Sequence, residues 1–165
     1  MRLRESTIPS GKLMLAQIRK LLAAPESSQE GPDQLQIAVA VLLVEAARMD
    51  DHFDDAERTV IERLLAEKFE LTQAATRELL KLAEATAESS NQLHPFTRLA
   101  VQRIDPQQRI RLIEMLWETA YADGVLDPEE DALLRRVAGL IYVSDADRVA
   151  ARQRVVKRLG IKPEP

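Results

Sequence analysis

An all-helical bundle built on a doubled helix-turn-helix unit is what this chain encodes, and three features say so. Hydrophobic residues fill 45% of its 165 positions but aromatic ones only 4%, with 5 Gly, so strand formers and hairpin turns are scarce. Apolar residues recur at helical spacing along most of the chain. The third feature is internal repetition: a gapless shift of 73 carries Glu45, Asp50, Asp54 and Glu57 onto Glu118, Asp123, Asp127 and Glu130. The same shift carries Leu43, Phe53, Ile61 and Leu64 onto Leu116, Leu126, Leu134 and Val137. Each copy thus repeats one set of carboxylates around one turn. About seven or eight helices are expected, divided into an N-terminal helix and linker (1–32), a helical domain (33–160) and a short tail (161–165).

The N-terminal pattern Met14, Leu15, Ile18, Leu21, Leu22 with Lys12, Arg19 and Lys20 opposite predicts a short amphipathic helix from about Gly11 to Ala24. Gln17, Arg19 and Lys20 interrupt it, so it lacks the apolar core of a signal peptide, and no run is long enough to cross a membrane. Docking on its own domain is the common fate of such a helix; peripheral association with an anionic membrane is the alternative. Pro25 to Pro32, rich in Ser, Glu, Gly and Pro, reads as a linker.

From Asp33 to Met49 the pattern is strongly helical, and Ile37 to Val44 is apolar nearly all round, which puts this helix in the middle of a bundle. Asp54 to Phe69 follows with Val60, Ile61, Leu64 and Leu65 as its inner stripe. Thr72 caps a helix from about Gln73 to Glu88, with Leu79, Leu80, Leu82 and Ala83 turned inward. Leu93 to Arg103 is short and interrupted by Pro95. Asp105-Pro-Gln-Gln108 then opens a helix that runs to Asp123-Gly124, another spans Pro128 to about Tyr142, and Ser144 caps the last. The acidic start (Asp145, Asp147) and basic end (Arg152, Arg154, Lys157, Arg158) of that last helix follow the helix dipole.

Composition narrows the function. No Cys means no disulfide, no thiolate nucleophile and no Cys-based zinc or iron-sulfur site, which suits a reducing cytoplasm, the location expected here. The net charge of −4 and the lack of interleaved aromatics argue against nucleic acid as a partner. No phosphate-cradling glycine loop, nucleophile elbow or His-Glu-x-x-His occurs, so no enzyme activity is expected. His94 precedes Pro95 and reads as a loop or helix-start residue instead of a base, and Trp117 with Tyr121, four apart, reads as a core or groove-edge pair.

The acidic turns admit two readings. Asp54-x-x-Glu57 and Asp127-Pro-Glu-Glu130 are capping boxes, each worth on the order of 1 kcal/mol, and Gly124 supplies a left-handed helix end. Capping leaves Asp50 and Asp123 unexplained, because each is expected at the C-terminal end of its incoming helix, where the dipole disfavours an anion. Two carboxylates about 4 Å apart repel by roughly 4 kcal/mol at an effective dielectric near 20. Water, an arginine, a raised pKa or a cation would offset that. The metal-site candidates are therefore Asp50, Asp54, Glu57, Asp123, Asp127 and Glu130, all oxygen ligands suited to calcium or magnesium. Glu45 and Glu118 stand off this set as supporting or structural residues. His52 sits among the first turn's acids, but its counterpart is Val125, so a role common to both copies cannot use it.

The stretch Leu116-Trp-Glu-Thr-Ala-Tyr-Ala-Asp-Gly-Val-Leu-Asp-Pro-Glu-Glu130, its upstream copy Val41 to Asp50 with Phe53, Asp54 and Glu57, and Leu93-His-Pro-Phe-Thr-Arg98 between them resemble the tellurite-resistance TerB-like family. The resemblance covers about Asp33 to Arg158. It implies a compact helical fold, shared with the N-terminal part of certain membrane-anchored J-domain co-chaperones. It also implies that the paired acidic positions form a cation-binding or interaction surface, with no catalytic activity. Met49-Asp50-Asp51 departs from the family's Ala-Asp-Gly in the first copy. Two functions follow as expectations: a non-enzymatic stress protein binding a divalent cation at the turns, or a metal-free helical adaptor binding another protein. Oligomeric state is left open.

Overall fold

The computed structural model describes residues 31–49 and 53–162 and, among these, seven helices and no strand. They are α1 (Gln34–Ala47), α2 (Asp55–Phe69), α3 (Gln73–Ser89), α4 (His94–Arg103), α5 (Pro106–Ala120), α6 (Pro128–Leu140) and α7 (Asp145–Leu159). The expected helix at Gly11 to Ala24 lies outside the described residues.

Helix α1 is the hub. Every residue from Ala38 to Ala47 except Glu45 is buried, as an apolar circumference demands, and α2 through α6 all pack against it. The first copy is α1–α2–α3 and the second α5–α6–α7; in both, the first helix packs on its second and more extensively on its third. The copies meet through α1 against α5, while α2 reaches α5 and α6 reaches α1 reciprocally. Helix α4 joins them and lies on α1 and α6.

The repeat extends to the third helices, which a shift of 73 misses because their offset is 72. Thr72 and Ser144 cap α3 and α7, each accepting from the backbone N–H three residues on. Burial matches in pairs at this offset: Thr76 with Arg148, Leu79 with Ala151, Ala83 with Val155. The slip arises where α2 and α6 end. Glu70 and Tyr142, also 72 apart, are the two described non-glycine residues with positive φ, at 52° and 60°. After them Leu71 N–H bonds the Ala66 carbonyl at 3.1 Å and Val143 N–H the Ala138 carbonyl at 2.9 Å, the same left-handed helix termination twice.

Two local expectations need correction. Leu82 is 41% exposed, not inward, because the buried stripe of α3 runs through Thr76, Leu79, Leu80, Ala83 and Ala87 and Leu82 lies off it. Pro95 does not interrupt α4 but falls in its first turn, where the missing N–H costs no intrahelical bond.

Candidate functional site

The first capping box is closed: Asp54 Oδ1 accepts from Glu57 N–H at 2.9 Å, and Glu57 Oε2 accepts from Asp54 N–H at 3.1 Å. The second is its counterpart, with Glu129 N–H donating to Asp127 Oδ1 at 2.7 Å and Asp127 N–H donating to Glu130 Oε2 at 3.3 Å. Glu57 and Glu130 are both buried, so the boxes tie charged residues into the core edge instead of presenting them to solvent.

Asp123 lies differently from expectation. Helix α5 ends at Ala120, and the chain turns through Tyr121 to Gly124, whose φ is 84°. Asp123 is therefore past the last helical turn, where the dipole has largely faded. Its Oδ1 accepts from Val125 N–H at 3.0 Å, a local turn that gives the residue a structural task. Asp50, Asp51 and His52 lie outside the described residues. Among those described, no three Asp, Glu or His side chains gather into a group that could hold a metal ion.

Glu45 and Glu118, equivalent in sequence, have unlike surroundings. Glu118 is 6% exposed; Arg63 of α2 donates to it at 2.7 Å, and Arg158 of α7 donates to its other oxygen. The bond to Glu118 is the main reason Arg63 holds its proton more tightly than an ordinary guanidinium. Arg154 and Arg158 also pair with Glu114, so the basic end of α7 is spent largely on α5. Among the described residues Glu45 pairs with Arg48 alone, at 4.0 Å, and burial raises its pKa against that attraction. The position equivalent to Arg63 is Arg136, which is exposed and makes no ion pair among the described residues.

Trp117 and Tyr121 form a core pair, ring centroids 6.1 Å apart. Trp117 Nε1 donates to the Arg148 carbonyl at 3.2 Å, Arg152 Nε donates to Tyr121 Oη at 2.8 Å, and the Arg152 guanidinium lies over both rings. His94 opens α4, as expected, and lines a groove of about 530 Å³ with Thr97, Arg98, Val101, Leu140 and Tyr142. Tyr142 is 78% exposed there. Sequence reasoning treated it only as a helix end; the signal that could have found it is its alignment with Glu70 once the one-residue slip is allowed.

No described helix is long and apolar enough to cross a membrane. The model of the family described as "Tellurite resistance protein TerB" matches residues 36–153. No curated protein and no solved structure matches the chain. The doubled three-helix unit, the two capped acidic turns and a family match over most of the length agree, and the chain belongs to the TerB tellurite-resistance family.

Proposed function

We propose that this TerB-family chain is a non-enzymatic, cytoplasmic accessory protein of the stress-response type that acts by binding another protein through the groove between α4 and the end of α6. The observation that carries this is Tyr142. A bulky aromatic residue at φ 60° is held in a backbone region that favours glycine, yet its side chain is 78% exposed and contributes little to the core. Aromatic side chains are enriched where proteins meet, because they bury much area for little lost freedom. Among the described residues no Asp or Glu lines this groove, although the chain has 27 of them, and Arg98 and His94 supply its polar side chains with Thr97 and Gln102. The matching partner segment is apolar with a carboxylate. A photo-crosslinking side chain placed at position 142 should give a discrete adduct in cells, whereas one at exposed Arg77 should not. No adduct at 142, or the same adducts at both positions, would remove the reading.

A second reading keeps the divalent cation at Asp123, Asp127 and Glu130, with Asp50, Asp54 and Glu57 as the companion set. It is supported by the oxygen that Asp123 leaves outside its turn hydrogen bond, close in sequence to Asp127. A calcium or magnesium ion would need six or more oxygens, so it would have to draw on turn carbonyls and water and loosen the capping box. Calorimetric titration of calcium into chelator-treated protein tests it. Saturable binding that an Asp123→Asn/Asp127→Asn variant loses supports a cation site; identical weak heats from both proteins count against one.

A further inference from the structure

A second groove, of about 600 Å³, runs between α2 and α5 and is closed at one side by Arg158 of α7. Leu64 and Met115 give it an apolar floor. Four carboxylates, Glu67, Asp105, Glu114 and Glu118, line it against the cations Lys68, Arg111 and Arg158, so what it can bind depends on which of these are already paired. Glu118 is held by Arg63 and Arg158, Glu114 by Arg154 and Arg158, and Glu67 by Arg63 at 3.5 Å. Asp105 uses its Oδ1 to cap α5, accepting from Gln108 N–H at 2.8 Å.

Two cations remain: Lys68 from α2 and Arg111 from α5. Neither has a carboxylate within ion-pair distance among the described residues, and both line the same groove. Lys68 is half-buried over the face of Phe69, 5.7 Å from the ring centroid, a contact that favours keeping its ammonium at the groove. Its pKa is lowered, first by burial and then by the positive charge of Arg111, with Asp105 opposing. Asp105 offsets only part of this positive charge, and an anion seated between Lys68 and Arg111 would relieve the repulsion that remains. The amides of Gln107 and Gln108 add neutral hydrogen-bonding groups beside the pair.

We propose that the groove between α2 and α5 binds a small organic acid, with Lys68 and Arg111 holding its carboxylate or phosphate head and Leu64 and Met115 receiving its short apolar body. This site is separate from the α4–α6 groove and stands or falls independently of it. Arg111 supplies a planar fork suited to two oxygens at once, and Lys68 a point charge to the same head.

The test is a titration followed by backbone and side-chain amide NMR, with sodium phosphate, sodium butyrate and, as an ionic-strength control, sodium chloride. Phosphate or butyrate should move resonances around Lys68, Gln107, Gln108 and Arg111 along a saturating curve that chloride does not reproduce. Butyrate alone should also move the Leu64 and Met115 methyl groups, which separates a carboxylate with an apolar body from a bare phosphate. A Lys68→Gln/Arg111→Gln variant, checked for an intact fold by its unaltered spectrum elsewhere, should bind about tenfold or more weakly. An Arg77→Gln control at an exposed position of α3 should bind as the parent does. Linear, non-saturating shifts, or equal affinity in the double variant, would overturn the proposal.

Discussion

Arg63 and Glu118, 55 positions apart, meet at 2.7 Å across the junction of the two copies, and Arg158 closes on the same carboxylate from α7. Three helices are joined at one buried acid. Replacing Glu118 by Gln leaves two guanidinium groups facing a neutral amide. Both arginines are about half exposed and can recover part of the loss in water, so the expected destabilisation is about 1–2 kcal/mol. Urea unfolding of Glu118→Gln, Arg63→Met and the double variant should show the double variant losing less stability than the sum of the two single losses.

The equivalent acid in the first copy should respond in the opposite direction. Glu45 has a raised pKa because burial outweighs its Arg48 partner, so the native state binds its proton more readily than the unfolded chain does. Stability from this group therefore falls as pH rises from the ordinary value of 4.5 through the raised native value. Glu45→Gln should stabilise the protein at pH 7, and the gain should vanish in melts carried out below that window.

Lys68 has the mirror-image linkage. Its native pKa lies below the ordinary value of 10.5, so the charged form is penalised at neutral pH and the penalty fades as pH rises from the lowered native value to 10.5. Lys68→Met should raise Tm at pH 7 and lose that advantage above pH 10.5. In phosphate the ranking should narrow or reverse if the groove binds anions, since a ligand of the native state stabilises by mass action.

Glycine should be the better residue at both left-handed helix ends. Glu70→Gly and Tyr142→Gly should each stabilise the fold by about 0.5–1 kcal/mol, since the backbone strain of a side chain there is removed. If Tyr142 serves a partner, its variant should be more stable and yet lose the crosslinking contact, whereas Glu70→Gly should change stability alone.

Trp117 is the single tryptophan and fully buried, so its emission reports on the whole bundle. Trp117→Phe should cost roughly 1–3 kcal/mol, from the lost bond to the Arg148 carbonyl and the space left behind. Chemical denaturation followed by circular dichroism measures it.

Periodicity and caps made most of the helices legible, because Asp54, Thr72, Asp105, Asp127 and Ser144 signal their starts locally. The central place of α1 followed from an apolar run with no polar face. The third-helix repeat stayed hidden because burial is kept while identity is not: Leu79 answers Ala151 and Ala83 answers Val155, large against small in both directions. The Arg63–Glu118 bond was out of reach for another reason. Both copies offer the same residue types at those positions, and only packing decides that Arg63 finds its acid while Arg136 stays in water. At the acidic turns the carboxylates were legible, but their hydrogen bonds were only partly so. The turn at Asp123 depends on α5 stopping at Ala120, a boundary the continuing pattern concealed.

The enclosure of α1 also has a consequence for synthesis. Its most apolar stretch leaves the ribosome before most of the helices that cover it, and α5 and α6 follow only after several dozen further residues. Through that interval the nascent chain must keep a sticky segment in view, so expression yield should depend on translation speed and chaperone supply more than the final stability would suggest.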